Sequence, residues 1–345
     1  MCNQGRKPRV PEDAGRECRL EDKVAWLRGR LGPGDEAIET HFAWVFLEGG
    51  HAWKLRKPVR RDTMDHGTLE ARRNDSEEEL RLNRRLAPDV YRGVRPLTRD
   101  ACGRLAIGGD GEIVDWLVEM RRLDRSRMLD VMLASGRATR ADLERIAARL
   151  AGFYAVEPPA ATDGAALVAR LDTQVHANHA VIATLDAAAA DALRRDQLRF
   201  LHGHREWFDA RAASGCVIEG HGDLRPEHVL VGEPPAVIDC LEFDRQLRML
   251  DRAEELAFLE LECGRLGAAE AGRYVAGRCL ELLGDTVPAS LAHFYRSHRA
   301  ATRAKLYVWR ASEPDGDSPE KWLATARTYL ALAREAAAGA LAASA

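Results

Sequence analysis

Hydrophobic positions along the chain follow two different periods, and the switch between them divides it into parts. After a polar lead-in from Met1 to about Leu20, a short helical stretch, 21–31, runs into Gly32-Pro33-Gly34, which breaks it. Phe42, Trp44 and Phe46 then recur at every second position and predict a half-buried strand. Glu48-Gly49-Gly50-His51 predicts a hairpin turn into a second strand, 52–57, stopped by Pro58. Between 67 and 86 the period is helical, with Glu79, Leu82, Asn83 and Leu86 on one face, and Pro88 ends the helix. Further strands are predicted at 94–98, 104–107 and 113–120. Beyond them the pattern is mostly helical and Ala-rich, over 138–156, 185–211, 251–266, 269–283, 289–310 and 319–343. Two short apolar segments, 229–231 and 236–238, interrupt it as a small ribbon, and the Ala-rich end at 336–345 reads as a fraying helix terminus. The pattern therefore predicts a frayed segment over 1–20, a sheet-plus-helix unit over 21–120 and a helical unit over 121–345.

Composition narrows the function classes. With 345 residues, 46% of them apolar, the chain can bury a large core. Its 51 Lys and Arg against 54 Asp and Glu leave a net charge of -3, so no broad basic field argues for nucleic acid or an anionic membrane. Seven cysteines with no Cys-x-x-Cys pair make a zinc module or disulfide framework a poor reading. Neither a leader-like apolar run nor a bilayer-length one occurs, which predicts a cytoplasmic protein.

The densest polar cluster is His221-Gly222-Asp223-Leu224-Arg225-Pro226-Glu227-His228, followed after a turn by Val237-Ile238-Asp239-Cys240-Leu241-Glu242. Two acidic loops flanking one short ribbon can serve a single pocket. Phosphoryl transfer needs such a pair, one carboxylate to orient the attacking hydroxyl and accept its proton and another to hold Mg²⁺ against a triphosphate. Asp223 is the candidate for the first role and Asp239 for the second.

On these residues the chain resembles the aminoglycoside phosphotransferase-like small-molecule kinases. The resemblance implies an α+β, two-lobed protein-kinase-like fold, in which a small β-sheet lobe with one control helix precedes a larger, mainly helical lobe. It implies ATP and Mg²⁺ as cofactors, a small-molecule hydroxyl substrate, and ATP at the junction of the lobes. Asp251-Arg252-Ala253-Glu254-Glu255-Leu256-Ala257 is similar to that family's Gly-Asp-Pro-x-x-Asp-Leu-Ala segment, which makes Asp251 and Glu255 structural anchors. Ala52-Trp53-Lys54 fits its Ala-x-Lys strand, where alternation puts Ala and Lys on one face, so Lys54 is the phosphate-binding lysine and Lys57, on the opposite face, the weaker candidate. Glu79 is the expected partner of Lys54, with Glu77 and Glu78 as rivals. Glu119 and Met120 fall where such kinases bind adenine through main-chain groups, and His221 is expected as a packed scaffold residue. The run from Glu77 to Pro88, Glu39-Thr40-His41, Lys57-Pro58-Val59 and Arg225-Pro226-Glu227-His228 resemble one bacterial branch, and the resemblance spans about 36–265.

Two positions depart from that pattern. His228 stands where most relatives carry Asn, and imidazole is a poor ligand for Mg²⁺. The expected metal set is therefore Asp239 with His228 or Glu242. No Gly-x-Gly-x-x-Gly precedes Lys54, so a phosphate flap is expected just before Phe42, with Thr40 and His41 as its polar residues. His41, His51 and His66 read as surface histidines, and Arg225, Arg245 and Arg248 as ion-pairing arginines. Asp172, His176, Asn178, His179, Trp207 and Tyr295 are unranked candidates for an acceptor pocket. Two rival readings stay open: a regulatory nucleotide-binding pseudokinase, and a hydrolase using His221, Asp223, His228 and Asp239 around a metal.

Overall fold

The alternating segment forms an antiparallel sheet. Its strands β1 (Glu36–Glu39), β2 (Ala43–Glu48) and β3 (His51–Arg56) are successive hairpins; β3 also pairs with β8 (Glu112–Arg121), which pairs with β6 (Tyr91–Arg99), and β7 (Leu105–Ile107) closes the far edge. A two-residue ribbon, β4 (Arg60–Arg61) with β5 (Met64–Asp65), lies in the chain between β3 and helix α2 (Leu69–Arg84). The computed structural model describes residues 18–61, 64–312 and 318–343; most of the polar lead-in and the last two residues of the Ala-rich end lie outside the described residues. The chain divides into two units, one running to Asp124 and including Glu242–Asp244, the other made of Arg125–Leu241 and the chain from Arg245 onward.

Side-chain alternation decides what each face of the first unit's sheet does. Trp53 and Leu55 of β3 join Trp44, Phe46, Leu97 and Leu117 in a core closed by Val24 and Leu27 of α1 (Leu20–Arg28). Each such side chain contributes about 1.5–3 kcal/mol by leaving water. Lys54 and Arg56 fall on the other face, toward α2, whose start is capped by Thr68 accepting the Ala71 N–H. Asp115 of β8 ties both helices to the sheet, accepting from Lys23 Nζ at 2.7 Å and Arg72 Nε at 2.8 Å.

The second unit is helical. Its helices are α3 (Leu129–Ala134), α4 (Arg140–Val156), α5 (Gly164–Ile182), α6 (Ala187–Gly203), α7 (Arg205–Ala213), the single turn α8 (Arg245–Arg248), α9 (Arg252–Arg265), α10 (Ala269–Leu282), α11 (Ala289–Ala311) and α12 (Pro319–Ala342). Strand β9 (Val217–Glu219) pairs with β12 (Met249–Asp251), and β10 (Val229–Leu230) with β11 (Ala236–Val237). Phe200, Phe208, Phe294 and Tyr295 centre one core; Phe258 and Tyr329 lie in another, where α11 and α12 pack through alanines such as Ala300, Ala304 and Ala333. Among the described residues no helix is long and apolar enough to cross a membrane.

The fold corrects three sequence expectations. The single helix expected over 185–211 is two, broken at His204, whose φ of -130° and ψ of 40° leave the helical region after Gly203. Helix α5 has no counterpart in the sequence reading, although Leu167, Leu171, Val175, Asn178 and Ile182 line its buried face at helical spacing behind an Asp163 cap. His66 is fully buried, with Nε2 3.0 Å from Asp75 Oδ2, rather than at the surface.

Asp251 anchors the second unit. Its carboxylate takes two hydrogen bonds from Arg211, each 2.7 Å, one from the Tyr295 hydroxyl at 2.9 Å and one from the Ala253 N–H at 2.8 Å, which caps α9. Tyr295, a candidate acceptor contact, is thus committed to the scaffold. Removing one partner of a buried pair strands the other's charge, so Asp251→Ala should lower unfolding free energy by about 3–5 kcal/mol. Urea denaturation followed by circular dichroism measures this, and a loss below about 1 kcal/mol would contradict the anchoring role.

Candidate active site

In the second unit, the chain leaving β9 is bent by Gly220 and Gly222, the latter at a φ of 83°. The bend is held from behind by Glu255 of α9, whose Oε1 accepts the N–H groups of His221 and Gly222, each at 2.7 Å, while Oε2 accepts from the Tyr154 hydroxyl at 2.8 Å. Burial pushes the Glu255 carboxyl pKa up against these hydrogen bonds. His221 lies beneath the loop, with Nε2 2.9 Å from the Ile238 carbonyl and Nδ1 3.3 Å from the Asp223 N–H. A neutral ring that donates from Nε2 and accepts at Nδ1 satisfies both contacts. The Ile238 N–H donates to the His228 carbonyl and the Leu241 N–H to the His221 carbonyl, so this unit brings the Asp223 and Asp239 loops together.

Asp223 is half-buried and accepts from Arg225 Nε at 3.1 Å. Burial pushes its carboxyl up, but Arg225, His228, Arg303 and Arg299 outweigh it and hold the pKa well below the usual carboxylate range. His228 donates from Nδ1 to the Asp223 carbonyl at 2.9 Å, leaving Nε2 to accept from Arg225 Nη2 at 3.0 Å and to face Asp239 Oδ2 at 3.5 Å. Asp239 has a φ of 61° and a half-exposed side chain. A left-handed non-glycine backbone is strained by about 1–3 kcal/mol and concentrates at functional sites.

In the first unit, Lys54 Nζ lies 2.8 Å from Glu79 Oε1. The other Glu79 oxygen accepts from Arg56 Nη2 at 2.6 Å, and Arg56 Nη1 reaches Glu242 Oε1 at 2.7 Å. Burial pushes the Glu79 carboxyl up while Lys54 and Arg56 pull it back. Burial also opposes the Arg56 charge, yet Glu242 and Glu79 more than offset that and raise its pKa. Glu77 and Glu78 pair instead with Arg73 and Arg81 on the exposed side of α2, and Lys57 with Glu39.

Several expected site residues are placed differently from the sequence reading. Glu242 gives its Oε1 to Arg56. Thr40 sits in the β1–β2 turn, where its hydroxyl donates to the Ala43 carbonyl and accepts the Ala43 N–H, which leaves no proton for a phosphate. Glu119 and Met120 lie in β8, in register with Trp53 and Gly93 for the first and with Ala52 and Tyr91 for the second, where the pairing with β6 is irregular. The Glu119 carboxylate accepts from Arg95 at 2.7 Å. The acceptor candidates are scattered: Asp172 pairs with His202, His179 with Asp191, and Asn178 donates to Thr302. Sequence reasoning missed Arg56, although it shares the Lys54 face two residues on. It also missed Arg299, which donates to the Gly222 carbonyl at 2.7 Å, and Arg303; no local signal marked either one.

Among the described residues no three His, Cys, Asp or Glu side chains are grouped as a metal cage. The half-exposed Asp239 carboxylate nevertheless suits Mg²⁺, an ion that takes one or two protein carboxylates and fills its octahedron with water and phosphate oxygens.

The buried His221 ring makes stability depend on pH. Burial lowers its pKa from 6.5 to about 4. Between these values the unfolded chain binds the extra proton, so this contribution is complete above pH 6.5 and is lost as pH falls to about 4. Its size is about 3 kcal/mol. Denaturation of the metal-free protein from pH 7 down to 4 should show this decline, and His221→Asn should flatten it; identical pH slopes for the two proteins would contradict the assignment.

No protein-family model matches the chain. Uncharacterized proteins of Mycobacterium bovis and Mycobacterium tuberculosis are 35% identical to it over 288 residues, 81% of this chain and 56% of theirs, so the chain spans about half the length of the curated relatives it matches. A choline/ethanolamine kinase family protein from Mesorhizobium loti is similar in structure at a TM-score of 0.55 and 16% identity, covering 94% of this chain and 98% of that one. Choline kinase from Cryptosporidium parvum gives 0.53 at 10% identity over 92% and 96% of the two chains. The GDP complex of aminoglycoside 2′-phosphotransferase-IIIa gives 0.50 at 15% identity over 88% and 92%. With a sheet unit carrying the Lys54–Glu79 pair and a helical unit carrying the Asp223 and Asp239 loops, the chain has the aminoglycoside phosphotransferase-like form of the protein-kinase-like fold.

Proposed function

We propose that the chain is an ATP- and Mg²⁺-dependent phosphotransferase that moves the γ-phosphoryl group onto a hydroxyl of a small molecule. The observation that carries this reading is the 2.8 Å Lys54–Glu79 ion pair between β3 and α2, the arrangement that protein kinases use to hold nucleotide phosphates. The neighbours support it at a coarser level, being named as kinases and a phosphotransferase, one of them with GDP bound.

In this mechanism Lys54, fixed by Glu79, neutralises phosphate charge, and Glu79 keeps its own orientation through Arg56. Adenine would take main-chain hydrogen bonds near the end of β8, at Glu119 and Met120. Asp239 would hold Mg²⁺, which supplies charge neutralisation of the phosphates when bound. Asp223 orients the acceptor hydroxyl and receives its proton as the new O–P bond forms and the bond from γ-phosphorus to ADP breaks. A carboxylate held so firmly in its charged form is a weak base. Phosphoryl transfer tolerates this because its loose transition state asks more for position than for basicity. His221 and His228 place Asp223 through its main-chain N–H and carbonyl.

The Arg225 bridge between Asp223 and His228 favours a second reading, a nucleotide-binding protein without turnover. Purified protein with ATP and Mg²⁺ separates the two, since only the phosphotransferase moves phosphate to an acceptor or slowly to water. Asp223→Asn should cut transfer by about 100- to 10,000-fold while leaving ATP affinity within about threefold, and Lys54→Ala should weaken ATP binding. Turnover at the native rate in both variants would refute these roles.

A further inference from the structure

The second unit brings the charges of Arg225, Arg299 and Arg303 to bear on Asp223, and Arg265 meets the same loop through Glu227. Arg225 donates to Asp223 at 3.1 Å and to His228 at 3.0 Å. Arg265, at the end of α9, donates to Glu262 at 3.2 Å and lies 3.6 Å from Glu227. Arg299, on α11, donates to the Gly222 carbonyl at 2.7 Å and lies 3.8 Å from Glu254. Each of these three has a close hydrogen-bonding partner in or beside the loop.

Arg303 does not. It follows Arg299 by one turn on the same face of α11, and its charge is felt at Asp223. Its nearest carboxylate among the described residues is Glu262, at 3.9 Å. Both oxygens of Glu262 already accept from the Tyr329 hydroxyl, at 2.7 and 2.9 Å, and one of them from Arg265. The hydrogen bond Arg303 makes is to the Tyr307 hydroxyl at 3.0 Å, and its Nε has none. Only 13% of its side chain is exposed. Burial opposes the Arg303 charge, but Asp223 and then Glu262 more than offset it, and the Tyr307 and Tyr329 rings lie against the guanidinium. What remains is a planar fork, shaped for two parallel hydrogen bonds to a carboxylate or phosphate, whose one hydrogen bond goes to a neutral hydroxyl.

We propose that the phosphorylated small molecule carries a carboxylate or phosphate group besides its reacting hydroxyl, and that Arg303 binds that group. This rests on the phosphotransferase reading above and leaves its transfer step unchanged. An acid brought up to the Asp223 carboxylate would be repelled on its own; Arg303 and Arg299 reverse that repulsion. An acceptor bearing an ammonium group would meet three like charges from Arg225, Arg299 and Arg303, so the same residues that admit acids reject amines.

The test is made on the full chain with ATP and Mg²⁺, using acceptor sets that differ only in charge: glycerate, glycerol phosphate, glycerol and serinol, then glucuronate, glucose phosphate, glucose and glucosamine. The acidic members should show kcat/KM about 10- to 100-fold above the neutral and amine members, and the better acid of each set tells carboxylate from phosphate. Arg303→Gln should bring that ratio to within about threefold of one, with partial recovery in Arg303→Lys. A preference for neutral or amine members, or an equal loss across a whole set in Arg303→Gln, would overturn the assignment while the phosphotransferase reading stands. Independently of turnover, tartrate should raise the melting temperature of the native protein and not that of Arg303→Gln. Coincident melting curves would overturn the anion site by themselves, whereas absence of both transfer and ATP hydrolysis counts against the phosphotransferase reading.

Discussion

The geometry of the Asp223 loop depends on a carboxylate that is buried behind it. Glu255 gathers two successive main-chain N–H groups onto one oxygen, and a fixed acceptor at that point forces the chain into the tight bend that turns Asp223 outward. The bend also dictates the residues around it. A Cβ at Gly220 would come within 2.9 Å of Glu255 Oε1, and one at Gly222 would press on Leu241 and Arg248. Only glycine fits at either place, since Gly222 is also left-handed. The first turn of α9 extends the same logic. Asp251 caps the helix while holding Arg211 and Tyr295, and Glu254 faces His298 and Arg299. Three acids at one helix N-terminus also meet the positive end of its dipole.

The first unit solves a related problem with a different arrangement. Glu79 is buried, and so is Arg56, so each would be costly alone. Sharing Glu79 between Lys54 and Arg56, and Arg56 between Glu79 and Glu242, gives every buried charge an opposite neighbour. The arrangement also fixes the glutamate on both sides, so Lys54 is held by a partner that cannot swing away.

Much of this was legible in the sequence because periodicity encodes which face a residue occupies. The alternation that predicts β2 and β3 also puts Lys54 opposite the Trp53–Leu55 core, and the helical spacing that groups Glu79 with Leu82 and Leu86 puts it on the buried face of α2. His-Gly-Asp and the later Asp are visible as a local pattern. What stays hidden depends on contacts distant in the chain. Nothing near Arg299 or Arg303 reveals that α11 passes the Asp223 loop. Glu242 looks like a metal ligand because it follows Asp239 so closely, yet its Oε1 goes to a guanidinium 186 residues earlier. Helix α5 escapes a sequence reading because its polar residues suggest chemistry, whereas Asp172, His176 and His179 lie on the outer side of a helix and Asn178 is buried in its packed face.

The placement of Glu242–Asp244 makes the sheet unit discontinuous in sequence. A fragment ending at Asp124 would contain every strand of the sheet and both of its helices, and would still lack the second counter-charge of Arg56. The last ion pair of that unit therefore waits on a piece of chain synthesised more than a hundred residues after its sheet, so the two units cannot be separated by a single cut without leaving Arg56 one counter-charge short.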